Sequence, residues 1–217
     1  MSQGNRLRLN VGSGQRPFGH PRPTPRHNQA CAFCGVPAEL HGSAGPAYHP
    51  PEFDYPHKYV PSALDAWVNV DIQSKWGADI VADGANMSMF ADNSVDMIVS
   101  HHVYEHYQLG GADDMVRECH RILKPSGSLI ITTPDLTELV VAWREGRLSD
   151  YLFCVNLYGA YNGDQADTHK WLTTKKTLSL AVKSTAPWSL VIPFDWREIP
   201  GASIAKDFWI QGLEAVK

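Results

Sequence analysis

Short apolar runs, each closing on polar residues, alternate with amphipathic stretches through most of this chain. The first run, Leu7–Gly14 (LRLNVGSG), carries β-formers at Leu7, Leu9 and Val11 and breaks into a turn holding Gly12 and Gly14. Glycine at both positions lets the backbone bend sharply and leaves room for a ligand against it. The same format returns in WVNVD (67–71), ADIVAD (78–83) and SVDMIVSH (94–101), each a buried strand finishing in polar residues. Ala112–Lys124 then sets Met115, Val116, Cys119, Ile122 and Leu123 along one helical face, and Pro125-Ser126-Gly127 stops the helix. Ser128–Thr133 reads as a strand, Pro134-Asp135 opens a helix to about Arg144, and Thr173–Lys183 is helical. The aromatic stretch 151–170 forms a loop or broken helix over the sheet, and strands at about 188–193 and 207–216 close the chain. Strands alternating with helices predict an α/β fold, with a mainly parallel sheet covered on both faces.

Residues 15–65 break this rhythm. They hold many of the prolines, five histidines (His20, His27, His41, His49, His57) and the pair Cys31-Ala-Phe-Cys34, with little apolar periodicity. The segment reads as an irregular insertion between the first and second strands of one domain spanning 1–217. With few aliphatic residues it has no core of its own, so it must dock on the sheet or be held by a metal.

Composition narrows the classes. Hydrophobic residues make up 43% and charged residues 19%, ordinary for a globular protein. A net charge of -4 gives no general attraction to nucleic acid or to an anionic membrane. No stretch approaches the roughly 20 apolar residues needed to span a bilayer. The N-terminus lacks an apolar signal core, and four cysteines are too few for a disulfide framework at this size, so the expected location is cytoplasmic.

In an open α/β sheet, ligands sit beyond the carboxyl ends of the strands. The residues there are Asn10, Gly12 and Gly14 after the first strand, Asp71 with Ile72 after the second, Asp83 with Gly84 after the third, and Ser100, His101 and His102 after the next. One acid can accept from a ribose diol, and the next can accept from an adenine amine. The third glycine of a G-x-G-x-x-G fingerprint is replaced by Pro17, which argues against a dinucleotide.

This pattern resembles the class I S-adenosylmethionine-dependent methyltransferases, in particular the type 11 branch. The resemblance lies in LNVGSG (9–14), WVNVDI (67–72), the run 78–107 and ECHRILKPSGSLIITTPD (118–135), whose helix ending Arg-Ile-Leu-Lys-Pro-x-Gly before a strand is the most specific part. Tyr158–Lys170, ending His169-Lys170, resembles a weaker feature of the same branch. It implies a Rossmann-like sheet of about seven strands and S-adenosylmethionine as cofactor. Gly12 and Gly14 would back the methionine and sugar portions, Asp71 would take the ribose hydroxyls, Asp83 the adenine amine, and Ser100 and His101 would flank the sulfonium. Asn10 stands where that motif carries an acid, so it offers a hydrogen bond without charge attraction.

The resemblance implies methyl transfer, an in-line displacement that needs alignment above all, with a base when the acceptor is a hydroxyl or amine. Candidate bases are His101, His102, Glu105, His106 and His169, with His102 and His169 ranked first. The expected acceptor is a small metabolite, sugar or lipid-linked precursor. The alternatives are a methyltransferase-fold binding or structural protein that engages a partner through the insertion, and a nucleic-acid methyltransferase, which the acidic balance disfavours. His102-Val-Tyr-Glu105-His106 also satisfies the inverted zinc-peptidase motif H-x-x-E-H. Cys31 and Cys34 can supply two thiolates to a structural zinc, with His20 and His27, or His41 and His49, completing the set; the alternatives are a plain reduced pair and a redox-active or disulfide-bonded pair.

Overall fold

The computed structural model describes residues 6–12, 65–73, 78–159, 165–198 and 209–217. Residues 13–64, which take in Gly14 and all but the last residue of the insertion, with His20, His27, Cys31, Cys34, His41 and His49, lie outside the described residues. In chain order the strands are β1 (Arg6–Val11), β2 (Asp65–Asp71), β3 (Ile80–Val81), β4 (Val95–His101), β5 (Leu123–Pro134), β6 (Leu190–Pro193) and β7 (Ile210–Val216). The helices are α1 (Leu109–Ile122), α2 (Leu136–Arg144), α3 (Asp150–Tyr158) and α4 (Lys175–Thr185).

All seven strands join one sheet in the order β3-β2-β1-β4-β5-β7-β6. The pairs β3/β2, β2/β1, β1/β4 and β4/β5 are parallel. β7 runs antiparallel to both its neighbours, so it alone opposes the common direction. The expected mostly parallel sheet is therefore present. Because β1 continues to β2 on one side and β4 lies on its other side, the order reverses there, which opens a crevice at the carboxyl ends of β1 and β4.

Alternate residues of the central strands feed two cores, since successive side chains point to opposite faces. Leu9, Val11, Ile98, Leu129 and Ile131 pack with Met115, Val116 and Cys119 of α1 and Leu178 and Val182 of α4. Val99 and Ile130 pack on the other side with Leu139 and Ala142 of α2, Leu148, Trp196 and Trp209. Both faces are covered, as the alternation of strands and helices requires. α2 starts where Asp135 accepts from the Thr137 N–H at 3.0 Å. α4 starts at a capping box between Thr174 and Thr177.

Three elements, β3, α1 and β5, depart from the sequence reading. ADIVAD supplies only the two-residue strand β3, because its flanks turn to carry Asp83. α1 ends at Ile122 rather than Lys124, and Pro125-Ser126-Gly127 lies inside β5. Val95 pairs with Leu123 but Met97 with Ser128, so residues 124–127 form a bulge that lets the strand continue past its proline. The stretch 151–170 begins with a full helix, α3, capped by Ser149.

Candidate functional site

Gly12 fixes the first corner. Its N–H donates to the Val70 carbonyl at 2.7 Å, and its φ of +70° is left-handed backbone that favours glycine. A Cβ there would stand 2.1 Å from Val103 Cγ2, so the loop after β4 closes directly on the β1 turn. Asp71, buried at the end of β2, accepts from the Gln73 N–H at 2.8 Å, which folds the chain back at this point. The Asp71 carbonyl accepts from Ala82 N–H at 2.9 Å, and this bond places Asp83 beside it. Asp83 accepts from the Ala85 N–H at 2.9 Å and from the Tyr107 hydroxyl at 2.6 Å. Burial first, and then the Asp83 carboxylate, raise the Tyr107 hydroxyl above its usual range, so it stays a donor. Gly84 is buried against Val11, Tyr107 and Met115. Ile72 remains 60% exposed, an apolar surface next to the Asp71 turn.

The ends of β1, β2 and β3 thus bring Gly12, Asp71, Ile72, Asp83 and Gly84 to one corner. Two predicted cofactor residues point elsewhere. Asn10 is buried in the sheet and donates from its amide to Asn69 Oδ1 at 3.0 Å, and Asn69 in turn donates to Asp79. Ser100 is fully buried, with its hydroxyl 3.8 Å from Met115 Sδ.

A second constellation sits where β4 ends. His101 shares a hydrogen bond with Thr132 Oγ1 at 2.5 Å. His102 takes φ +55° and donates its N–H to the Thr132 carbonyl, which turns its ring across that of His101, centroids 4.5 Å apart. Its Nδ1–H donates to Glu105 Oε1 at 3.0 Å. Glu105 is fully buried. Burial alone would raise its carboxyl, but the His102 bond and the nearby His102, His106 and His169 hold it at about 2. His106 and His169 face each other, centroids 4.9 Å apart. Burial lowers His169, favouring its neutral ring. The stretch 168–170 is stitched on by Lys170 N–H to the Glu105 carbonyl at 2.8 Å and His169 N–H to the Tyr158 carbonyl at 3.0 Å. Of the predicted bases, His102, His106 and His169 therefore gather around the Glu105 carboxylate, while His101 is held on Thr132.

The H-x-x-E-H reading does not survive this geometry. Tyr104–His106 is a single 3-10 turn and His102 lies outside it in left-handed backbone, so the two histidines do not stack one turn apart on an α-helix. Sequence reasoning missed Tyr107 as the partner of Asp83 and Val103 as the residue facing Gly12. Tyr107 directly follows the Glu105-His106 pair, but nothing local says that it crosses to another strand end.

The strand order and this corner define the fold as that of class I methyltransferases. Within the sequence, residues 59–131 match the type 11 methyltransferase domain family. No curated protein matches the chain. Among solved structures it is similar to a SAM-dependent methyltransferase from Archaeoglobus fulgidus (TM-score 0.53, 14% identity, 99% of this chain and 87% of that one). It is similar to a possible exported protein from Bordetella parapertussis (TM-score 0.54, 11% identity, 99% and 62%). A third is the 1,6-didemethyltoxoflavin-N1-methyltransferase of Burkholderia thailandensis, solved with S-adenosylhomocysteine bound (TM-score 0.50, 12% identity, 99% and 72%). The type 11 resemblance read from the sequence is borne out over residues 59–131, and the fold is that of SAM-dependent methyltransferases of known structure. No helix among the described residues is long and apolar enough to cross a membrane.

Proposed function

We propose that this protein transfers a methyl group from S-adenosylmethionine to a small acceptor, a metabolite, sugar or lipid-linked precursor, as a single cytoplasmic domain. The observation that carries the reading is the meeting of the Gly12 turn, Asp71 and Asp83 at one corner of the sheet. There Asp71 accepts from the ribose diol, Asp83 from the adenine amine, and Ile72 covers the base. Gly12 admits the methionine end close to the backbone. Asn10 and Ser100, buried as they are, act by shaping the sheet under the cofactor rather than by side-chain contact. S-adenosylmethionine supplies an already activated methyl carbon, so the protein's contribution is alignment together with a base. His102 suits the base: Glu105 holds its Nδ1–H, which leaves Nε2 bare to take a proton from the acceptor. His101 and His169 flank it.

Calorimetric titration with S-adenosylmethionine tests the reading. Micromolar binding, weakened by Asp71→Ala by about tenfold or more for the loss of a charged acceptor of two hydroxyls, is expected. Absence of binding in the parent protein would instead favour a binding or structural protein on this fold. The engagement of the Asn10 amide by Asn69 is the observation that favours that second reading.

A further inference from the structure

Glu105, His106 and His169 each offer one ligand atom, and the three atoms lie within 4.8 Å of one another. Their surroundings are arranged as a metal site requires. The Nδ1–H of His106 donates to the Thr168 carbonyl at 3.2 Å, and that of His169 to the Asn156 carbonyl at 2.8 Å. A carbonyl only accepts, so both rings are fixed as the tautomer whose Nε2 lone pair is bare, the orientation that backbone carbonyls impose on metal-bound histidines. Glu105 spends Oε1 on His102, while its Oε2 is buried with no hydrogen-bond partner. An ionised oxygen buried without a partner is expensive, and a cation would satisfy it.

From this geometry we infer that Glu105, His106 and His169 form a binding site for a divalent transition-metal ion of the zinc type. Two imidazoles and one carboxylate are a donor set suited to such ions, and three protein ligands leave room for a further oxygen ligand. Bonds of about 2.0–2.2 Å require the three atoms to draw together by roughly 1 Å, which rotation of the side chains can supply. The site uses neither Cys31 nor Cys34. That the open position takes an oxygen of the methyl acceptor rests on the methyltransferase reading; the binding of the metal does not.

The test is titration of tag-free, full-length protein with Zn²⁺, and with Co²⁺ to read the ligands by absorption. One saturable equivalent is expected, with a Co²⁺ spectrum of nitrogen and oxygen ligation. His106→Ala and His169→Ala should each weaken Zn²⁺ binding by about 100-fold or more, beyond what loss of an outer partner does. Both should keep the parent's S-adenosylmethionine affinity and circular dichroism. If either alanine variant fails to fold, Glu105→Gln, which preserves volume, must still weaken Zn²⁺ binding. No saturable binding, or a sulfur-to-cobalt charge-transfer band with binding indifferent to the histidine variants, overturns the site. Zn²⁺ binding that obeys these expectations in a protein that takes no S-adenosylmethionine supports the site while overturning the methyltransferase reading.

Discussion

His102 is the residue at which backbone and side chain are most tightly specified together. Left-handed backbone is uncommon for a histidine, and the surrounding bonds hold it there: its N–H on the Thr132 carbonyl and its ring on Glu105. If it serves as the base, His102→Ala should lower kcat by about 10²–10⁴-fold toward a hydroxyl or amine acceptor while leaving S-adenosylmethionine affinity within twofold or so. Steady-state kinetics beside a binding titration checks both halves. An equal fall in cofactor affinity would mean that the residue only supports the loop. His101 and His102 were legible in the sequence as candidates because they follow an apolar strand, and His169 because its segment shares in the resemblance. Their common dependence on Glu105 was not, since His169 reaches it across 64 residues of chain and no local pattern records such a contact. Asn10 shows the opposite failure: its motif position suggested a cofactor contact, yet its in-register neighbour Asn69 satisfies the amide inside the sheet.

Among the elements, α1, α2 and α4 were readable because each combines an apolar stripe with a cap or a stop, and those signals are local. β5 was not fully readable. Pro125 looks like a terminator, but the Val95–Leu123 pairing with β4 extends the strand across it by way of the bulge at 124–127. α3 was left open between a loop and a broken helix because its apolar residues lie on all sides, leaving no stripe to recognise. Its end is nevertheless demanding. Gly159 has φ +86°, and a Cβ there would lie 2.1 Å from the Asp167 carbonyl oxygen, a backbone atom that cannot move aside without shifting His169. Gly159→Ala should therefore cost about 1–3 kcal/mol from backbone strain alone. It should lower the melting temperature by several degrees and also reduce turnover through His169. Unchanged melting and turnover would show that the 165–170 segment does not need this close approach.

Across the whole molecule, the order β3-β2-β1-β4-β5-β7-β6 could not be deduced from strand signals, because parallel pairing joins segments far apart in sequence; the resemblance implied a mostly parallel sheet of about seven strands and left the order open. What locks that order also sets its response to acid. Asp96 on β4 accepts from the Leu7 N–H of β1 at 2.8 Å and from Lys124 at the β5 bulge at 2.8 Å, so three strands meet at one carboxylate. Burial opposes its ionisation, but Lys124 and Leu7 outweigh that and lower it below its ordinary value. Glu118 on α1 is lowered first by Arg121, against the effect of burial, and it also accepts from Met87 N–H at 2.8 Å in the loop before β4. Both groups bind protons more readily in the unfolded chain. Their contribution is thus complete above the ordinary carboxylate range and is lost as pH falls through the lowered folded values. Melting temperature should be flat from about pH 6 to 5 as far as these groups are concerned, and should decline below about pH 4. Glu118→Gln should lower the plateau by a few degrees, having removed a charged partner of Arg121, and should make the acid decline shallower. Thermal melts of both proteins from pH 7 to 3 decide it. Parallel curves would show that Glu118 takes no part in holding α1 to the sheet.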